Sequence, residues 1–129
     1  MPAGFFDLEK EMAAMPATEP NADVSGEDVA QIPYTSGTES KPKGAMLSHG
    51  ALMSQYYGCI IDGEYRTDDI SLHALPLFHC AQLHCFLVPF IYVGAKNIIH
   101  HKAEPAAMIR DIETYGVTSC CRRRCPHRR

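Results

Sequence analysis

Apolar residues recur along this chain with two rhythms, one helical and one extended, and polar stretches mark where each gives way to the other. Phe5, Leu8 and Met12 stand at helical spacing, which predicts a helix over residues 5–15. A run rich in Pro, Asn, Asp and Gly, residues 16–28, follows as a loop. Residues 29–34 suit a short buried strand. Ser48 is placed to cap a helix whose apolar face is Leu52, Tyr56, Cys59 and Ile60, with Asp62 and Gly63 breaking it. Residues 70–75 read as a strand, residues 81–92 as a helix apolar almost all round, and residues 96–101 as a strand centred on Ile98 and Ile99. A last helix starts at Pro105, shows Met108, Ile112 and Tyr115 on one face, and stops at Gly116. Strands alternating with helices predict an α/β layered fold with parallel pairing.

Length limits this to one core, because a domain of 129 residues buries roughly two-thirds of the surface its unfolded chain exposes. A hydrophobic share of 46% with nine Gly and nine Pro excludes a disordered or fibrous chain. The N-terminal stretch carries acids and no long apolar run, unlike a secretory signal. The most apolar stretch, residues 80–95, contains Gln82, His84 and Pro89 and is shorter than the about 20 residues a membrane span needs. A soluble, cytoplasmic protein with reduced cysteines is the expectation. Charge then changes the picture: residues 1–119 carry a net −8 and the last ten residues a net +5. The tail CCRRRCPHRR begins where Tyr115-Gly-Val-Thr leads into a strand and an apolar run is expected, so the reading divides the chain into a helix and loop (1–27), a main segment (28–119) and a basic tail (120–129).

Chemistry concentrates in YTSGTESKPKG, residues 34–44. Thr35, Ser36, Thr38 and Ser40 offer hydroxyl donors, Gly37 and Gly44 allow turns that aim successive N–H groups at an anion, and Lys41 and Lys43 bring positive charge. Pro42 restricts the backbone and helps aim Lys43. A strand followed by such a loop is one way a fold presents a phosphate cradle. The spacing is not that of a Walker loop, which needs G-x-x-x-x-G-K-[ST]. On composition alone a solvated loop rich in Ser, Gly and Lys comes first.

The order of residues reverses that ranking. The run resembles the phosphate-binding loop of the adenylate-forming (AMP-binding) superfamily, which includes acyl-CoA synthetases, luciferases and peptide-synthetase adenylation domains. It departs from the common Thr-Gly at Glu39 and Ser40, a form that resembles bacterial fatty-acyl-CoA synthetases. Leu75-Pro-Leu-Phe-His-Cys80 resembles the next motif of the same family, and the likeness extends over residues 28–119. It implies a partial slice of the layered αβαβα N-terminal domain of adenylate-forming enzymes.

The resemblance also implies an activity. A carboxylate attacks the α-phosphate of ATP, giving an acyl-adenylate and pyrophosphate, and the thiol of CoA then displaces AMP. ATP, Mg2+ and CoA would be the cofactors, with fatty or other carboxylic acids as small-molecule substrates. Thr35, Ser36, Gly37, Thr38, Glu39, Ser40, Lys43 and Gly44 would surround the β- and γ-phosphates, with Glu39 turned away from them or toward Mg2+. His79 would shape the carboxylate end of the substrate pocket; without the motif it reads as a helix-start histidine with a structural partner. The family's later motifs for adenine, ribose and the C-terminal lysine have no counterpart here. Residues 115–119 imitate the first of them but carry Ser119 in place of the Glu.

The tail invites three readings. Cys120, Cys121, Cys125 and His127 lack the paired spacing of a zinc site. Its arginines would bind nucleic acid weakly and without sequence preference. The preferred expectation is an out-of-frame end. Three classes therefore stay open: a fatty acid–CoA ligase fragment, an inactive remnant that at most binds nucleotide, and a basic-tailed nucleic-acid binder.

Overall fold

The computed structural model describes residues 7–35, 41–120 and 123–124. In chain order these form α1 (Leu8–Ala14), β1 (Val29–Gln31), β2 (Tyr34–Thr35), β3 (Lys43–Gly44), β4 (Leu47–Ser48), α2 (His49–Gly63) and β5 (Ile70–His73). A π-helical segment (Ala81–Leu87) follows and runs into α3 (Val88–Tyr92), then β6 (Lys96–Ile99), α4 (Pro105–Tyr115), β7 (Ser119–Cys120) and β8 (Arg123–Arg124). The mixed helix and strand architecture is α/β, as the alternation predicts.

A four-stranded sheet in the order β6-β5-β7-β8 carries the core. β5 pairs in parallel with β6, Leu72 opposite Ile98, and in parallel with β7, Leu72 opposite Cys120. Ser71, Leu72 and His73 are all buried, as expected of a strand covered on both faces. Asp69 and Thr118 latch the start of this strand: the Thr118 hydroxyl donates to Asp69 Oδ1 at 2.8 Å and accepts from Ile70 N–H at 3.0 Å. Gly116 ends α4 with φ 64°, a left-handed turn that glycine adopts without a Cβ penalty. Val117 behind it is buried.

α2 forms as its pattern predicts. The Ser48 hydroxyl accepts from Ala51 N–H at 3.2 Å, and Leu52 and Tyr56 are buried with Cys59 and Ile60 half-buried beside them. The helix runs through Gly63, where any Cβ would overlap the ring of Tyr65. That ring stacks on buried Phe90 with centroids 4.0 Å apart, and its hydroxyl donates to Cys85 C=O at 2.9 Å. Tyr65 thus brings a donor to that carbonyl from the loop between α2 and β5, and Pro89 has no N–H to add. Burial pushes the Tyr65 hydroxyl up to about 12.

Several expectations are corrected. The strand expected over residues 29–34 is two short pieces, because Pro33 cannot donate to a ladder, and both are largely exposed rather than buried. Both pair antiparallel, β1 with β4 and β2 with β3, so among the described residues parallel pairing is confined to β5, β6 and β7. The helix over 81–92 opens as a π segment before becoming α-helical. On α4, Met108 and Ile112 are half-buried while Tyr115 is exposed, its ring 5.3 Å from the Lys96 ammonium. Among the described residues no helix is long and apolar enough to cross a membrane.

Candidate functional site

Two strands of two residues hold the base of the phosphate-type loop. Tyr34 pairs with Gly44 and Thr35 with Lys43, so the two ends of the loop are paired antiparallel. The Thr35 hydroxyl donates to Lys43 C=O at 3.4 Å, which ties the two stems together. Thr35, Lys43 and Gly44 are exposed, and Lys43 makes no ion pair among the described residues. Gly44 is favoured for a steric reason: a Cβ there would sit 2.8 Å from Ile32 Cγ2, which would have to shift, and 3.5 Å from the Tyr34 ring. A hydroxyl, an ammonium and a glycine that lets strands close tightly are a donor set that suits a polyphosphate. Ser36, Gly37, Thr38, Glu39 and Ser40 lie outside the described residues.

His79 sits elsewhere, in the turn that leaves the C-terminal end of β5. Its backbone N–H donates to Pro76 C=O at 3.1 Å, and its own carbonyl accepts from Leu83 N–H at 3.2 Å as the π segment begins. Its Nδ1 accepts from Ala81 N–H at 3.3 Å, which leaves Nε2 to carry the ring proton. The side chain therefore has a local backbone partner, as a helix-start histidine would, yet it is exposed and lines a cavity of about 460 Å³. Leu75, Pro76, Phe78, Ala81, Gln82 and Phe86 complete the wall. A second cavity of about 520 Å³ lies across the same turn, against the ends of β5 and β6. Crevices outside the carboxyl ends of parallel strands are where open α/β sheets bind ligands.

Beneath this turn lies a polar relay that the sequence reading passed over. The Asn97 amide donates to Ala95 C=O at 2.9 Å, so its Oδ1 faces His73 Nε2 at 2.7 Å. An amide oxygen only accepts; Nε2 therefore carries the His73 proton and Nδ1 accepts from Gln82 Nε2 at 2.7 Å. Burial lowers the His73 pKa against the upward pull of the Asn97 bond. His84 is held the same way, its Nε2 donating to Gln31 Oε1 at 2.5 Å and its Nδ1 accepting from the Tyr56 hydroxyl at 2.9 Å, and burial lowers its pKa too. The available signal was three polar residues, His73, Gln82 and His84, inside otherwise apolar runs.

Residues 3–122 match the AMP-binding enzyme family. The chain belongs to that family. AMP-binding relatives include a feruloyl-CoA synthase from Amycolatopsis sp, 34% identical over 92% of this chain and 23% of the relative. A 4-coumarate–CoA ligase from Oryza sativa subsp. japonica is 38% identical over 74% of this chain and 18% of the relative. ATP-bound MatB from Rhodopseudomonas palustris superposes with a TM-score of 0.73 at 29% identity, covering 82% of this chain and 21% of that one. The chain thus spans about a fifth of the length of the AMP-binding relatives it matches, and its fold is that of part of their N-terminal domain.

Proposed function

We propose that this chain is the phosphate-loop and acyl-pocket portion of an acid–CoA ligase, and that the acid it serves is aromatic. In the reaction a carboxylate oxygen bonds to the α-phosphorus of ATP as pyrophosphate leaves; the CoA thiol then attacks the acyl carbon as AMP leaves. The observation that supports the reading is the Tyr34–Gly44 pairing, which sets Thr35 directly opposite Lys43. Fixed donors of this kind lower a barrier made chiefly of negative charge meeting negative charge. Lys43 and the loop hydroxyls, Ser36, Thr38 and Ser40 included, would hold the β- and γ-phosphates, with Gly37 and Gly44 admitting the backbone. Mg2+ would come with the nucleotide: among the described residues no three His, Cys, Asp or Glu converge as ligands, and Glu39 is the acid nearest in sequence to the phosphates.

Two observations favour an aromatic acid over the fatty acid that the Glu39-Ser40 form of the loop suggests. Phe78 and Phe86 give the cavity beside His79 two aromatic walls, and the relatives named above act on feruloyl and 4-coumarate groups by their names. His79 at the rim would meet the carboxylate. A cytoplasmic location accords with such substrates, and the out-of-frame reading of residues 120–129 accompanies it as a proposal. ATP binding to the chain, then ATP–pyrophosphate exchange with aromatic and fatty acids, tests the whole. ATP binding that Lys43→Ala weakens is expected, with exchange driven by aromatic acids only where the later adenine, ribose and lysine motifs are supplied. Exchange driven by fatty acids alone overturns the aromatic reading, ATP binding without exchange leaves a nucleotide-binding remnant, and no ATP binding overturns the ligase reading.

A further inference from the structure

His84 is 4% exposed, and two hydrogen bonds and a stack fix its ring. Nε2–H donates to Gln31 Oε1 at 2.5 Å, Nδ1 accepts from the Tyr56 hydroxyl at 2.9 Å, and the Tyr56 ring lies over it with centroids 5.9 Å apart. An amide oxygen only accepts and a neutral imidazole carries one ring proton, so the two bonds select the tautomer together. The partners are distant in the chain, Gln31 by 53 residues and Tyr56 by 28. Gln31 ends β1, just before the stem of the phosphate-type loop. From Gln31 to that stem the path is short: Ile32 Cγ2 lies against Gly44, Pro33 C=O accepts from Ala45 N–H at 2.9 Å, and Tyr34 pairs with Gly44. Ile32, Tyr34, Thr35, Lys43 and Gly44 are all exposed, so apolar burial does little to hold the stem in place.

His84 itself belongs to the π segment, whose Ala81, Gln82 and Phe86 line the cavity beside His79. Single π turns within helices occur frequently at functional sites. We propose that His84 is a positioning residue: through Gln31 it holds the stem of the phosphate-type loop at a fixed place relative to the π segment and the cavity on it. It acts through Gln31 and not on a substrate. The use of that alignment rests on the acid–CoA ligase reading, because a carboxylate and an α-phosphate react only when both are held in line. The tether itself is a property of this chain's own contacts. Removing the bond frees the stem; removing the Tyr56 hydroxyl loosens the buried side of the ring and leaves the Gln31 bond in place.

The test sets His84→Leu and Gln31→Leu, which each remove the bond, against His84→Gln, whose amide nitrogen reaches as far as Nε2, and against Tyr56→Phe. Two quantities are read on the full chain: amide hydrogen exchange at Ala45 in the stem and along the buried strand β5, and equilibrium binding of ATP with Mg2+. Loss of one hydrogen bond predicts about tenfold faster exchange at Ala45 and about tenfold weaker ATP binding in each leucine variant. The double leucine variant is expected to be no worse than either single one, since both remove the same bond. His84→Gln returns both quantities to within about twofold of the wild-type values, because it keeps a donor to Gln31. Tyr56→Phe speeds exchange in β5 and leaves Ala45 and ATP affinity unchanged. Should His84→Leu fail to fold, shown by loss of its circular dichroism, Gln31→Leu at its half-exposed site carries the comparison. Parallel acceleration at Ala45 and in β5 across all the variants makes His84 a stability residue alone and overturns the proposal, as does faster exchange at Ala45 with ATP affinity unchanged. If the wild-type chain binds no ATP, the ligase reading falls, and the exchange pattern at Ala45 upholds or overturns the tether on its own.

Discussion

The amide of Gln82 donates to Nδ1 of His73 at 2.7 Å, and this one bond joins the wall of the cavity beside His79 to the central strand of the sheet. His73 in turn reaches Asn97 on the neighbouring strand β6. The cavity wall is thus referenced to the most buried part of the fold rather than to a surface turn. Removing the far end should be felt at the near end. Asn97→Ala leaves His73 Nε2–H without its acceptor, which costs about 1–3 kcal/mol. Urea unfolding should show the loss, and an unchanged midpoint would mean that water replaces Asn97.

His73 and His84 make folding sensitive to acid. Both are buried and neutral, each donating from Nε2 to an amide oxygen and accepting at Nδ1, and burial lowers both pKa values below the ordinary histidine value of 6.5. Below pH 6.5 the unfolded chain takes up protons that the folded chain refuses, so stability falls as pH drops through that value. Above it both states are neutral and these two groups leave stability flat. Urea midpoints at pH 7.5, 6.5 and 5.5 check this. Gln31→Glu, which sets a carboxylate against His84 Nε2–H, should raise that pKa and reduce the acid loss.

Two glycines of α2 should respond oppositely to alanine. Gly58 is exposed in mid-helix with nothing within 4 Å of an added Cβ, so Gly58→Ala gains about 0.5–1 kcal/mol from helix propensity and lost chain entropy. At Gly63 the added methyl meets the Tyr65 ring, which is pinned by its stack on Phe90 and its bond to Cys85 C=O. Gly63→Ala therefore costs about 1–3 kcal/mol, as overpacking does. Thermal melts of the two variants side by side give the sign of each.

Gly44 and Ile32 form a further pair. Gly44→Ala drives a methyl into Ile32 Cγ2 and spreads the hairpin at the base of the loop, which should weaken ATP binding by about tenfold, the loss of one charge-assisted hydrogen bond. Adding Ile32→Ala removes the clashing carbon, and because Ile32 is exposed this costs little stability. Recovery of ATP affinity in the double variant, read by equilibrium binding, identifies the clash as the cause; no recovery assigns the glycine a different role.

Much of the fold was legible because local rules were obeyed. Ser48 caps, Gly116 stops and Pro105 starts where their backbone chemistry says they should, and the 3.6-residue spacing of Leu52, Tyr56 and Ile60 names the buried face of α2. The Thr35–Gly44 loop and His79 were legible as motifs, since a motif is a string of neighbours. The relay from Gln82 through His73 to Asn97 was not, because its members are separated by 9 and 24 residues. Nothing in their local spacing says that β5, β6 and the π segment will bring them together.

Sequence by itself determined the family, the order of helices and strands, and the string of hydroxyl, glycine and lysine residues in the loop, because each depends on contacts within a few residues or on an unbroken string. Tertiary structure alone decided which way the polar groups point. The pairing of β5 with β6 places Asn97 beside His73, and the donor and acceptor count along that line leaves Gln82 Oε1 as the free acceptor. It also decided that Tyr34 pairs with Gly44 and that a Cβ there would meet Ile32 Cγ2. Close approach between distant segments sets such constraints, and a hydrogen bond has a direction only when both partners are in place.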